Sequence, residues 1–435
     1  MGDGAGAMLY QQLTDNCLAG AIGDGGLGED VFTRVLMEAA PAHDRLCQLF
    51  EAGELPCLSI AGESGDLEAV RGLAEDWRAR LGDVVVLGTG GSSLGGQTLC
   101  ALAAPGGPRL HFLDNVDPAT FEALLASLDL KRAGLIAISK SGGTAETLAQ
   151  TLVLLPALAA ALGSTELPRH AAVITEPKES PLKAIAKRFS LPCFDHHPGI
   201  GGRFSAFSIV GLLPAMIAGL DAAAFRRGAR ETLQASLNAA KVEESEPAVG
   251  AAVAIGLLQE HGMAQSVLIT YEDRLAHFGL WYRQLWAESL GKDGTGTTPI
   301  RATGTSDHHS QLQLYLAGPR DKMFTLVMPG CRGRGPRMEA GLAEEAGADS
   351  LAGRAMGDLL DAAARATAET LARKGRPVRL MRLNAVDEAS LGALLMHFML
   401  ETIIAADLLG VNAFDQPAVE EGKVLTREYL AEAAP

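Results

Sequence analysis

The sequence predicts an α/β protein of two lobes, each a mostly parallel sheet flanked by helices, with helical segments at both ends of the chain. Three observations point there. Apolar strand, glycine turn and helix start recur from about residue 83 onward, as in "DVVVLGTGGSSLGGQTLCALA" and "AGLIAISKSGGTAETLAQTLVLLPALAAAL". A helical stretch over 206–260 interrupts this rhythm, and a second alternating region follows it. At 435 residues, with 48% hydrophobic and 20% charged residues, the chain is long enough for two cores and too apolar for extensive disorder.

Taken in order, residues 8–50 carry apolar residues at helical spacing and are expected to form an N-terminal helical layer. "DVVVL", "RLHFL", "GLIAI" and "AAVIT" are short apolar runs bounded by turn residues, so they are expected as strands, and the helices between them make βαβ units. Asp117-Pro118 marks a helix start. In the second region "AQSVLITY", "FTLVMPG" and "PVRLMRLN" are the expected strands, "RLAHFGLWYRQLWAESLG" a helix, and 386–410 a long helix before an irregular, then helical, tail. The expected divisions are 1–60, an N-terminal helical segment; 61–205, a first lobe; 206–255, a helical connection; 256–385, a second lobe; and 386–435, a C-terminal helix and tail.

The formal net charge of −15 disfavours nucleic acid and anionic lipid as partners. The basic stretches Arg226–Arg230, Arg332–Arg337 and Arg373–Arg382 read as solvated turns and helix ends. The six cysteines form no CxxC pair, and Cys100 and Cys193, among apolar neighbours, read as small core residues. The N-terminus has no basic n-region followed by an apolar run, and the apolar stretches 148–162 and 391–411 contain polar residues, so both read as buried helices rather than membrane spans. A cytoplasmic protein is expected.

Ser139-Lys140-Ser141-Gly142-Gly143-Thr144 follows a strand and precedes a helix. Ligands of parallel sheets sit outside the carboxyl ends of the strands, and a helix N-terminus offers unpaired N–H groups suited to phosphate. A capped helix start is the simpler account, but a cap uses one hydroxyl and this loop offers three, at Ser139, Ser141 and Thr144. The order GxxxxGK[ST] is absent. "LGTGGSSLGG" raises the possibility of a dinucleotide, with Asp114 ending the next strand, yet Ser93 stands where a third glycine would be needed. "GIGGRFSAFS" places Arg203 after two glycines, where a guanidinium can meet an anion. In "QLWAESLGKDG", Glu288 ends an aromatic-rich helix; it is either an exposed helix-end acid or, beside Trp286 and Leu290, a carboxyl raised toward neutrality for base catalysis. His308 and His309 share a turn in which one imidazole could move a proton, and as adjacent residues they make a poor metal pair.

Six segments taken together, GTGGSSLGG, SKSGGTAET, GIGGRFS, QLWAESLGKDG, GTSDHHSQLQL and FDQPAVEEGK, resemble the glucose-6-phosphate isomerase family from about residue 80 to the C-terminus. The resemblance implies two sugar-isomerase (SIS) lobes and reversible exchange of glucose 6-phosphate and fructose 6-phosphate, a step of glycolysis and gluconeogenesis. It further implies a cis-enediol intermediate, no cofactor or metal, and a homodimer with its sites near the subunit interface. By motif position, Ser139, Lys140, Ser141 and Thr144 would hold the 6-phosphate, with Thr147 close by. Gly91 and Ser92 would line the sugar pocket, and Gly202 with Arg203 would face the enediolate. Glu288 matches the base, and His309 the ring-opening histidine supplied by the neighbouring subunit. Lys423 and Gln416 match the tail residues at the ring oxygen and phosphate. Thr89, Ser93, His308 and Ala418 depart from the common Ile, Asp, Gln and Gly, and His308 leaves open which imidazole acts. The alternative is a non-catalytic sugar-phosphate sensor built on the same lobes, which would have no need of Glu288, His309 and Lys423. An amidotransferase of this fold would need Cys at position 2, where Gly stands.

Overall fold

The structure, a computed structural model, describes residues 9–432. Among the described residues, ten strands form two five-stranded sheets. In chain order they are β1 (Tyr10–Leu13), β2 (Asp83–Leu87), β3 (Arg109–Leu113), β4 (Ala133–Ile138), β5 (Ala171–Thr175), β6 (Cys193–Asp195), β7 (Gln265–Thr270), β8 (Thr298–Thr303), β9 (Lys322–Met328) and β10 (Val378–Leu383). The first sheet has the order β3-β2-β4-β5-β6 and is parallel throughout. The second has the order β1-β10-β9-β7-β8, parallel except for β1. Strands β2, β4 and β5 are buried along their whole length, as expected where helices cover both faces of a parallel sheet.

Several elements differ from the expected ones. Tyr10–Leu13 is an edge strand, antiparallel to β10, and only a single helical turn, Ala19–Ile22, precedes the first long helix, Glu29–Glu51. The expected N-terminal segment therefore contributes to the second sheet, while residues 1–8 lie outside the described ones. Short strands β6 and β8 were not anticipated: three residues give β6 no readable alternation, and Pro299 lies in β8, which as an edge strand tolerates proline. Cys193 is an exposed residue on edge strand β6, not a core one, because no further strand covers that side; Cys100 is half-buried. The basic stretches are not simply solvated either. Arg226 is buried and grips Asp66 through Nη1 (2.7 Å) and Nη2 (2.6 Å), and Arg376 is buried with three backbone carbonyls.

Arg379 is the most enclosed of these arginines. Its Nη1 donates to Glu401 Oε1 and Oε2 at 2.8 and 2.7 Å, and His397 Nε2 lies 3.0 Å from Glu401 Oε2 while its Nδ1 meets Tyr10 Oη at 2.8 Å. Burial works against the Glu401 charge, but Arg379 and His397 more than offset it and hold the carboxyl below its ordinary range. This network bolts β1 and β10 to helix Glu388–Leu408, the central helix of the molecule. That helix is long and apolar enough to cross a membrane, yet 94% of its most apolar window is inside the protein. Helix Ala145–Glu166 is equally apolar but only a third buried, contrary to the expectation that it would be covered.

One hydrophobic cluster joins the two sheets. It packs Leu94, Leu99 and Phe204 from the first-sheet side with Trp281, Trp286 and Phe398. Helix Ala276–Leu290 lies at this junction: Trp281, Tyr282, Leu285, Trp286 and Ser289 are buried, while Gln284 and Glu288, four apart, keep one half-open line along it. It stops at Gly291, whose N–H closes the last turn on the Ala287 carbonyl at 2.9 Å.

Candidate active site

Two backbone segments pack together beside the helix of Glu288. The turn after β2 needs glycine: Gly90 has φ +53°, and a Cβ there would approach Gln284 Nε2 to 2.8 Å. A Cβ on Gly91 would lie 2.1 Å from the Gly202 carbonyl carbon, so the turn after β2 and the segment before Arg203 touch backbone to backbone. Ser205 Oγ ties the same pair, donating to the Gly91 carbonyl at 3.1 Å and the Gly202 carbonyl at 2.7 Å.

Arg203 organises what this packing creates. It is buried, and its Nη1 lies 3.2 Å from Glu288 Oε2 and 2.7 Å from Gln416 Oε1. Its Nε donates to Ser289 Oγ at 2.8 Å, and its Nη2 to the Ala413 and Asp415 carbonyls at 2.5 and 3.0 Å. One guanidinium thus joins the helix of Glu288 to the C-terminal tail. Burial pulls its pKa down and Glu288 opposes that; an arginine remains charged either way. Glu288 is not sealed in the apolar pocket that its aromatic neighbours suggested: its side chain is 32% exposed, and Trp286 is turned to Thr297 Oγ1 at 2.8 Å. Its second oxygen accepts from Gln284 Nε2 at 3.0 Å. Sequence reasoning missed Gln284, although the spacing of four from Glu288 was there to be read, and it missed Ser289 and Lys292, which holds the tail through Asp415 at 3.2 Å.

Loop 139–144 lies at the carboxyl end of β4, beside the turn of β2, because β2 and β4 are hydrogen-bonded neighbours. Ser139 is buried and braces the loop, meeting Thr144 Oγ1 at 2.8 Å and the Gly142 N–H at 3.1 Å. Gly142 needs its φ of +66°, and a Cβ there would strike Ser180 Oγ at 2.1 Å. Ser141 is exposed, and Lys140 and Thr144 are half-open. Lys140 faces Glu176 at 3.7 Å, and burial draws its ammonium below the usual lysine value while Glu176 opposes that fall. Thr147 lies one turn into the helix, fully buried and with no partner for its hydroxyl. Behind the loop lies His196, buried, its Nδ1 on the His197 carbonyl at 3.1 Å and its Nε2 unpartnered; burial lowers its pKa to about 4.

Gly91, Ser92, Gly202, Arg203, Glu288 and Gln416 are therefore brought together, with Ser139, Lys140, Ser141 and Thr144 on the neighbouring strand end. His309 and Lys423 are not. His309 is exposed, with no side-chain hydrogen bond among the described residues, and among them the Lys423 ammonium pairs only with Glu420, at 2.6 Å on an exposed helix. His308 is tied within the chain, its Nε2 2.7 Å from Tyr271 Oη and 3.1 Å from Thr367 Oγ1. Asp114, considered for a ribose, instead accepts from Gln97 Nε2 at 2.9 Å.

The phosphoglucose isomerase family model matches residues 70–311. A glucose-6-phosphate isomerase of Thermus thermophilus is 39% identical over 419 residues, 92% of this chain and 99% of that one. The chain belongs to the phosphoglucose isomerase family. Another member, the glucose-6-phosphate isomerase of Rubrobacter xylanophilus, is 41% identical over 79% of this chain and 81% of its own. A crystal structure of a hypothetical protein from Thermus thermophilus superposes with a TM-score of 0.87 at 38% identity, covering 97% of this chain and 100% of that one. The phosphoglucose isomerase fold extends to a glucose-6-phosphate isomerase of Chlamydia trachomatis, with a TM-score of 0.74 at 24% identity over 85% of this chain and 74% of that one.

Proposed function

We propose that this protein interconverts glucose 6-phosphate and fructose 6-phosphate, with Glu288 as the base that carries the proton between C2 and C1. The observation that carries the reading is the Arg203–Glu288 pair, set beside a glycine turn and next to a hydroxyl-rich loop at the same sheet edge. A sensor of sugar phosphates would need the loop but not the pair.

Lys140, Ser141 and Thr144 would hold the phosphate, which stays remote from the reacting carbons and positions them. Glu288 takes the C2 proton; the C–H electron pair forms the C1–C2 double bond as the carbonyl pair moves onto O1, leaving an enediolate oxygen that takes up the proton O2 releases in the next step. The proton on Glu288 then goes back to C1 while the O2 hydroxyl gives up its own and becomes the carbonyl. One carboxylate on one face serves both transfers, worth roughly 10²–10⁴-fold. Arg203 beside it stabilises negative charge on the enediolate oxygen, an effect of roughly 3 kcal/mol in comparable sites. Gln416 and Gly202 bound the same space, Gln284 orients Glu288, and Gly91 and Ser92 line the sugar end.

His309 and Lys423 act, in this reading, from a neighbouring subunit and from the tail, to open the pyranose ring. The support is that His309 stands unpartnered and exposed among the described residues. Exposed apolar side chains that a second copy would cover also mark two helices: Leu152 and Val153 on Ala145–Glu166, and Val424, Leu425 and Leu430 on Glu420–Glu432.

The deciding experiment is Glu288→Gln, assayed in a coupled system with fructose 6-phosphate. Isomerisation should fall by at least about 10³-fold while sugar-phosphate binding persists. Turnover near that of the unaltered protein would remove Glu288 from the role of base.

A further inference from the structure

The two sheets repeat one plan. The first contains β3-β2-β4-β5 and the second β8-β7-β9-β10, each run parallel. In each, the chain leaves its first central strand toward one edge and then crosses to the other side. The winding therefore reverses between β2 and β4 in one lobe and between β7 and β9 in the other. Open α/β sheets take ligands at such reversals, outside the carboxyl ends of the strands. In the first lobe that is where the turn after β2 and loop 139–144 lie.

The corresponding loops of the second lobe follow β7 and β9, and they line a cavity of about 360 Å³. Small-molecule sites run from roughly 300 to 1,000 Å³. Arg274 comes from the first loop and Arg334 from the second, "PGCRGRGPR", which also carries Arg332 and Arg337. The nearby acids are Glu272, which accepts from Arg274 Nε at 2.6 Å, and Asp358, held by the N–H groups of Ala355 and Gly333 at 2.9 and 2.8 Å. Asp361 is taken by Arg365 at 2.9 Å. Of the residues that line the cavity two are arginines and one is a carboxylate, a local positive excess on a chain of net charge −15. Arg334 makes no side-chain hydrogen bond or ion pair among the described residues, so its fork is available. The loop is pressed into place: a Cβ on Gly357 would lie 2.0 Å from the Cys331 carbonyl oxygen, and one on Gly330 2.5 Å from that of Asn384. Met356, Leu360 and Val386 supply apolar wall.

We propose that this second crevice binds a small hydroxylated phosphomonoester, its phosphate met by Arg334 and Arg274 and its body lying along Met356, Leu360 and Val386. Arg–phosphate pairs can be bidentate, and both arginines line the one cavity. Glu272 neutralises Arg274 while the crevice is empty and accepts from a ligand hydroxyl when it is filled. The site is separate from the Glu288 cluster and does not depend on the isomerase reading.

The test is the rise in Tm caused by inorganic phosphate against chloride at equal ionic strength, in the unaltered protein, in Arg274→Ala/Arg334→Ala and in Lys140→Ala/Ser141→Ala. Phosphate at ten times its Kd should raise Tm by about 1–3 °C per occupied site. The arginine variant should show a smaller rise than the unaltered protein while keeping full isomerase activity, which also reports that it is folded; Arg334→Gln is the milder version. An arginine variant that responds to phosphate as fully as the unaltered protein overturns the second site. A lysine–serine variant that does so overturns the first-lobe assignment instead.

Discussion

Arg203 Nη1 stands 3.2 Å from Glu288 Oε2, with the guanidinium side chain 2% exposed and the carboxylate 32%. The cation is locked inside while the anion reaches outward. That asymmetry leaves Glu288 open to solvent while it keeps its partner, and it gives Arg203 two duties, at Glu288 and at the tail.

Arg203→Lys tests both. Lysine keeps the charge but has three donors where the fork has five, so the bonds to Ser289, Gln416 and the two tail carbonyls cannot all survive. We expect kcat to drop by about 10²–10³-fold, with faster limited proteolysis around residues 412–416. Activity within tenfold of the unaltered protein, with the tail equally resistant, would contradict this.

The adjacent imidazoles should separate cleanly. His308→Ala leaves Tyr271 Oη without its His308 partner, while Thr367 Oγ1 keeps the Ala363 carbonyl, so stability should fall by about 1–3 kcal/mol with modest loss of turnover. His309→Ala should leave Tm unchanged and abolish use of the cyclic sugar. If His309 serves the neighbouring subunit, co-refolding Glu288→Gln with His309→Ala restores one intact site per hybrid dimer, about a quarter of full activity for random pairing. No recovery on mixing would place His309 outside the partner's site.

If Lys140 holds the phosphate, Glu176, which faces it at 3.7 Å, competes for its ammonium. Removing its charge in Glu176→Gln should lower KM by about fivefold, the size of one interaction of roughly 1 kcal/mol in a part-exposed site, and leave kcat nearly unchanged. A raised KM would mean that Glu176 positions Lys140 more than it opposes the ligand. Glu176→Asp should then recover the original KM.

His196 gives stability a pH dependence of known sign. Burial lowers its pKa from 6.5 to about 4 in the folded chain. Between those values the unfolded state holds a proton that the folded state does not, so stability is full above 6.5 and is lost as pH falls toward 4. At 1.36 kcal/mol per pH unit the loss amounts to roughly 3 kcal/mol. Tm measured across that range should fall less steeply in His196→Phe. An unchanged slope would assign the effect to other groups.

The motif loops were legible because each is a local matter: a glycine that must take positive φ or admit a neighbouring backbone, and hydroxyls at a helix start. Gly90, Gly142 and Ser139 occupy the places their neighbourhoods implied. The burial of Thr147 was not legible, because one turn along a helix changes which side a residue faces, and its side turned inward. Arg379 and Arg226 looked like surface charge, since the acids that pair them, Glu401 and Asp66, lie on other elements. Tyr10–Leu13 became a strand only because β10 offered it an edge.

The order of residues by itself determined the alternation of strands and helices, the glycine turns and the identity of the reactive side chains, because hydrophobic period, turn chemistry and ionisable groups are properties of short stretches. Folding decided which of them meet. Arg203 reaches Glu288 across 85 positions and Gln416 across 213, and Arg379 finds its carboxylate inside the core. Burial and charge pairing act through space, where distance along the chain has no say, so the site and the buried network exist only in the packed molecule.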